Sequence, residues 1–197
     1  MNARIAALAA ALMLAMTVGS QASEWAVLKP ESKLEFAGLQ MGVPTGGEFT
    51  AFTSTIAFDR DNLSASSVRV VIDLGSIATP LPLIAQILVQ EPWFDIANHP
   101  QGIFEAGEFR QVTDMHYEAN GMLTLRGVTR PVSFSFEFAS YGKDPEQQGW
   151  LKAILLGEAT MQRTAFGIGK GEWGATNIVA DDVTVTVRLT AKKQIMP

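Results

Sequence analysis

No cysteine occurs in the 197 residues, and histidine and tyrosine occur only twice each. The first absence excludes disulfides, thiol catalysis and a lipid anchor on an N-terminal cysteine, so burial and hydrogen bonding alone must hold the fold. The second leaves His99 and His116 isolated, neither spaced with another strong ligand, and no metal cluster is expected. Basic residues are also few: 15 Lys and Arg stand against 20 Asp and Glu, a formal charge of −5, which makes nucleic acid an unexpected partner. No Gly-x-Ser-x-Gly elbow is present to expose a nucleophile, and no internal repeat is found. Beyond residue 18 no apolar run is long enough to cross a bilayer as a helix.

What the chain does have begins at its N-terminus. Arg4 precedes an apolar stretch over residues 5–18, and Ser20-Gln21-Ala22 places small residues where a signal peptidase reads them. The stretch is short for a membrane span, and the following Ser23-Glu24-Trp25 lacks the positive flank of an anchor. Residues 1–22 are therefore expected to be a cleaved signal peptide and residues 23–197 one domain, exported to the periplasm. Loss of Arg4 would take the formal charge from −5 to −6.

Alternating apolar and polar residues then recur between Gly, Asn, Asp and Pro, the pattern of half-buried β-strands. Val132, Phe134, Phe136 and Phe138 alternate with Ser133, Ser135 and Glu137, and Val183, Val185, Val187 and Leu189 with Thr184, Thr186 and Arg188. Further strands are expected over residues 33–36, 52–58, 68–73, 103–109, 115–125 and 151–160, with a hairpin turn at Asn120-Gly121. So many one-sided strands must form a sandwich or close into a barrel, and closure removes exposed edges. Residues 81–89 break the pattern, being apolar nearly all round. They predict one short helix, capped by Thr79, stopped by Pro92 and buried against the rest. The segment 141–149 reads as a solvated connection, and Gly167-x-Gly169-x-Gly171 as a turn and not a nucleotide site.

Several stretches in order resemble the YceI-like family of bacterial lipid-binding proteins. They are Gly47-Glu48-Phe49 with Ile56-Ala57-Phe58-Asp59, Ser76-Ile77-Ala78-Thr79, and Trp93-Phe94-Asp95 with His99-Pro100. The two most specific pieces are residues 123–132, Leu-Thr-Leu-Arg-Gly-Val-Thr-Arg-Pro-Val, and residues 163–168, Arg-Thr-Ala-Phe-Gly-Ile. The resemblance covers the whole mature chain. It implies an all-β fold, an extended eight-stranded antiparallel lipocalin-like β-barrel with one short apolar helix. It further implies non-covalent binding of a polyisoprenoid or similar amphiphilic lipid, such as a quinone-like prenyl compound, and brings no catalytic residue. The chain departs from the family in having Leu83-Ile84-Ala85-Gln86 where relatives often carry Arg-Asp-x-His, and Lys29-Pro30-Glu31-Ser32 in place of Asp-x-x-His-Ser.

The expected ligand-binding residues lie on apolar faces near the helix and the barrel interior: Phe36, Phe52, Leu83, Ile84, Ile87, Leu88, Trp93, Phe94, Phe104, Leu123, Phe134, Phe136, Phe166 and Ile168. Trp93-Phe94 is expected to close one mouth. Arg126 and Arg163 could meet a polar head group, but ionic or hydrogen-bonded locking of the barrel is the role expected of them. Three function classes follow: a periplasmic carrier of an isoprenoid or other long-chain amphiphile; an adaptor docking on a membrane redox or envelope complex, with lipid incidental; and a hydrolase built around His99 or His116. No cofactor is expected besides the bound lipid. Transient membrane contact and a homodimer are compatible with the carrier reading.

Overall fold

The computed structural model describes residues 24–195, and the expected signal peptide lies outside them. The chain forms β1 (Ala26–Val27), β2 (Lys33–Gln40), β3 (Val43–Phe49), β4 (Phe52–Ala57), β5 (Ser67–Asp73), β6 (Ile77–Ala78), helix α1 (Pro82–Leu88), β7 (Gln101–Gln111), β8 (His116–Leu125), β9 (Val128–Lys143), β10 (Trp150–Gln162) and β11 (Asp182–Gln194). Three pairs of these segments are single strands with an interruption. A 3-10 turn at Lys29–Glu31 separates β1 from β2, residues 50–51 separate β3 from β4, and a 3-10 turn at Leu74–Ser76 separates β5 from β6. The sheet thus has 11 segments where the family resemblance implies eight strands; counted through the three interruptions, they reduce to 11 − 3 = 8.

Antiparallel pairing runs from β4 through β5, β7, β8, β9, β10, β11 and β2 to β3. Because β3 continues directly into β4, the two ends of that path are one strand, and the sheet closes on itself. The first strand joins the last: β2 pairs with β11 from Lys33↔Arg188 to Ala37↔Thr184, and β1 pairs with it at Ala26↔Lys192 and Val27↔Ala191. The Glu24↔Ala57 bridge carries the same strand across to β4. Closure leaves no long open edge among the described residues, which fits a domain with no disulfide.

The alternation read in the sequence is the inward and outward alternation of the barrel. β9 and β10 are 16 and 13 residues long, well over twice the usual strand, so the barrel is tall. Two hairpins are as tight as hairpins become. Met41-Gly42 joins β2 to β3 and Arg126-Gly127 joins β8 to β9, with all four residues at positive φ, as a type I′ turn requires.

Three sequence expectations are corrected. Asn120-Gly121 is no turn: β8 runs unbroken through it, pairing Asn120 with Glu108 and Gly121 with Ala106. Glycine stands there because β7 bulges between those two partners, and a Cβ on Gly121 would lie 2.4 Å from the Glu105 carbonyl oxygen and 2.7 Å from the Ala106 methyl. Helix α1 is also not buried on all sides. None of its residues is fully enclosed, Leu81 and Leu83 are 65% and 66% exposed, and Thr79 does not cap it but donates from Oγ1 to the Leu81 carbonyl at 2.7 Å. The helix sits at one end of the barrel with one face turned inward, so the other has no layer to cover it. Finally, the segment 141–149 is anchored. The Asp144 carboxylate is fully enclosed and pairs with Lys192 at 2.6 Å, and the Asp144 amide donates to the Trp150 carbonyl.

Two buried clusters fill the interior. One packs Trp25, Phe58, Tyr117, Phe136 and Phe138 at the end away from α1. The other packs Leu34, Phe49, Leu74, Trp93, Leu123, Phe166 and Ile168 beneath it.

Candidate functional site

Inward positions alternate between large rings and residues with almost no side chain. Gly38, Ala119, Ala153, Ala159 and Ala191 face the interior beside Phe36, Phe104, Phe134, Phe136 and Phe138. The small residues leave space that the rings do not fill, and a cavity of about 330 Å³ runs through both clusters. That is within the range of sites that enclose a small ligand. Its wall is almost wholly apolar, with Gln40, Thr45 and Arg163 as the polar residues touching it.

The end away from α1 is closed by aromatic packing. Phe58 meets Tyr117 edge-on at 5.4 Å between centroids, and Tyr117 stacks on Phe136 at 5.6 Å. The fully buried Tyr117 hydroxyl is satisfied, accepting from Arg60 Nε at 2.8 Å and donating to the Asp114 carbonyl at 3.2 Å. That hydrogen bond to Tyr117 holds the Arg60 guanidinium above its ordinary value, against the opposing effect of burial. Trp25 completes the floor, its Nε1–H donating to the Phe58 carbonyl at 3.0 Å.

At the opposite end two arginines tie irregular segments down. Arg163, 3% exposed, donates to five backbone carbonyls: Ala180 from Nε at 3.0 Å, Ile168 and Gly169 from Nη1 at 2.9 and 3.3 Å, and Trp173 and Val179 from Nη2 at 2.9 and 2.8 Å. Burial pulls this guanidinium below its ordinary value, and the Asp181 carboxylate opposes the shift. Gly169, at φ 75°, is required here, since a Cβ would fall 2.2 Å from Arg163 Nη1. Arg126 donates to the Glu91 and Trp93 carbonyls and lies 3.6 and 3.9 Å from the Glu91 and Asp95 carboxylates, which fixes the exit from α1 to the β8–β9 turn. Both arginines are thus occupied by the protein itself, the locking role expected of them. Trp93 lies between these anchors, 5.7 Å from Trp173 and 5.6 Å from the Arg163 guanidinium. Its indole N–H is buried with no hydrogen-bond partner.

The structure brings nearly all the expected lining residues to one wall. Phe36, Ile84, Ile87, Leu88, Trp93, Phe94, Phe104, Leu123, Phe134, Phe136, Phe166 and Ile168 border the cavity. Phe52 and Leu83 do not. Phe52 lies in the gap between β2 and β4, beside Lys29, Pro30 and Phe49, and Leu83 is on the outer face of α1. Sequence reasoning omitted Trp25, Val185, Val187, Trp173 and Val179 from the wall. The valines were in plain alternation and could have been included by parity. Trp173 and Val179 come from irregular segments with no period to read.

The hydrolase reading gains no geometry. His116 Nε2 is 2.6 Å from Ser135 Oγ, but both belong to positions outside the barrel, away from the cavity; His116 stands opposite Glu137, and Glu118, opposite Ser135, is bound to Arg110 at 2.6 Å. His99 packs under the Gly127 turn.

A profile of the YceI-like domain matches residues 25–191. The chain belongs to the YceI-like family. An UPF0312 protein of Pectobacterium atrosepticum is 34% identical over 122 residues, a match that spans 62% of either chain and so under two thirds of that relative. Among solved structures, Burkholderia cenocepacia BcnA is similar with a TM-score of 0.76 and 28% identity, covering 83% of this YceI-like chain and 98% of its own. A polyisoprenoid-binding domain from Saccharophagus degradans, implicated in plant cell wall breakdown, shares the fold with a TM-score of 0.62 at 14% identity, over 88% of this chain and 99% of that one.

Proposed function

We propose that this protein holds a polyisoprenoid or similar amphiphilic lipid non-covalently inside its barrel and carries it through the periplasm, as a binding protein and not an enzyme. The observation that supports this most is the cavity wall: a tall barrel lined from Trp25 to Trp173 by aliphatic and aromatic side chains. Each isoprene unit brings five carbons, and at about 0.8 kcal/mol per buried CH₂ its burial contributes on the order of 4 kcal/mol before the cost of ordering the tail. Several units then suffice for firm retention.

Family membership and the polyisoprenoid-binding neighbour support the same ligand class. The unpartnered N–H of Trp93 supports a ligand that carries an oxygen acceptor, such as a quinone carbonyl, over a bare hydrocarbon. The α1 end of the cavity would then hold the head and the aromatic floor the tail.

Purification without detergent, followed by native mass spectrometry before and after organic extraction, tests the proposal. A stoichiometric prenyl lipid in the extract is the expected result. A protein that is empty and takes up neither a prenyl quinone nor the prenyl hydrocarbon of equal tail length overturns it and favours the adaptor.

A further inference from the structure

Among the described residues, exposed large apolar side chains are not scattered evenly. Leu39, Met41, Val43, Leu81, Leu83 and Ile178 are 47%, 77%, 62%, 65%, 66% and 44% exposed, and all six stand at the α1 end of the barrel. They come from three segments that meet there. The tip of the β2–β3 hairpin carries the first three. The segment before β11 carries Ile178 and is tied to the hairpin by the Met41 amide, which donates to the Ile178 carbonyl at 2.7 Å, and by the Gln40↔Val179 bridge. Helix α1 follows β6, which pairs with β3 at Glu48↔Ala78, so its outer face flanks the same hairpin. Leu39, Gln40, Thr45, Ile84 and Val179, from all three segments, also border the cavity. The apolar residues are therefore a collar around its mouth.

The same segments carry no charge. Residues 36–47, 74–90 and 173–180 contain no Asp, Glu, Lys or Arg, in a chain that carries 35 such residues elsewhere. We propose that this collar docks on the surface of a lipid bilayer, with the hairpin tip and α1 entering the acyl boundary and the cavity mouth facing the membrane. Several exposed aliphatic side chains, carried on segments without charge, suit the interior of a bilayer. They do not suit recognition of anionic headgroups, which draws on Lys and Arg. The inference rests on the lipid-carrying reading for its purpose and on the collar alone for its geometry.

Flotation of the mature protein with neutral phosphatidylcholine vesicles is the test. The wild type co-floats, and does so undiminished at about 0.5 M salt, where attraction between exposed charges is screened. The double variant Met41→Asp/Leu83→Asp stays at the bottom of the gradient, with at least a tenfold smaller bound fraction, whereas Val112→Asp, an exposed apolar site on another hairpin, floats like the wild type. Unchanged circular dichroism in the variants excludes unfolding, because the substituted side chains are largely outside the core. Wild-type protein that does not float overturns the proposal, as does equal flotation of the double variant. A wild-type dimer that the double variant converts to monomer, with no vesicle binding in either, overturns it in favour of a contact between two copies. Lipid extracted from the same preparation reports separately on the cargo, so an empty cavity and a non-docking collar are distinct outcomes.

Discussion

Arg163 holds five backbone carbonyls of irregular segments. Its guanidinium replaces the ladder hydrogen bonds that residues 168–180 cannot form with a neighbouring strand. Lysine at this position keeps the charge but offers no planar fork, and strands most of those carbonyls without a donor. Arg163→Lys is expected to destabilise the protein by about 2–4 kcal/mol, measured as a lower denaturation midpoint at unchanged m. Asp144 acts through charge. The hydrogen bond from Lys192, then that from the Glu146 amide, holds its carboxyl below the ordinary 3.8, and the Asp144 hydrogen bond holds Lys192 above the ordinary 10.5. A carboxyl more acidic when folded stabilises above its unfolded value and loses that contribution as pH falls through its folded value. A raised lysine keeps its contribution until pH rises past 10.5. The difference in melting temperature between wild type and Asp144→Asn should therefore be flat from about pH 5 to 9 and shrink as pH falls below the ordinary 3.8.

At the scale of elements, the β7 bulge and Gly121 are two halves of one device. The extra residue in β7 breaks the local register, and only a residue without Cβ lets β8 pass it. Gly121→Ala should cost about 1–3 kcal/mol, because the methyl first meets the Glu105 carbonyl oxygen and the Ala106 Cβ, neither of which can swing away. This is also where sequence and structure part. Strands such as β9 and β11 are legible because one face is buried and the other wet, so period two survives in the residues. Asn120-Gly121 carries the chemistry of a turn, and nothing local to it reveals a bulge on the neighbouring strand. Helix α1 was legible as a helix but not as an exposed one. An apolar surface looks the same in sequence whether it is covered by protein or left open. The cavity wall was read well where it lies on strands and poorly at Trp173 and Val179, whose inward placement is imposed by Arg163 from a distant position.

As a whole, the molecule is a tube with an aromatic floor and an apolar mouth, and a ligand that fills it must stabilise it. If the barrel holds a lipid tail, protein stripped by extraction and reloaded with a prenyl quinone at a free concentration of 100 times Kd gains about 2.7 kcal/mol. That corresponds to on the order of 5–10 °C in Tm, readable by scanning calorimetry. No gain at that concentration would mean that the ligand binds the unfolded chain as tightly as the folded one, against a site that exists only in the closed barrel.

The closure through the first and last strands also governs when this protein can come into being. Ser32 and Thr190, 158 positions apart, exchange hydrogen bonds across the seam, and β1 and β2 both have β11 as a partner. A chain emerging from its N-terminus can pair β2 with β3 early but cannot satisfy the other edge of β1 and β2 until β11 has arrived. Until then β2 and β10 present bare edges, open to pairing with any extended peptide nearby. Pairing over so long a separation is slow to form, so the newly made chain passes through a vulnerable interval and needs shelter until β11 is in place.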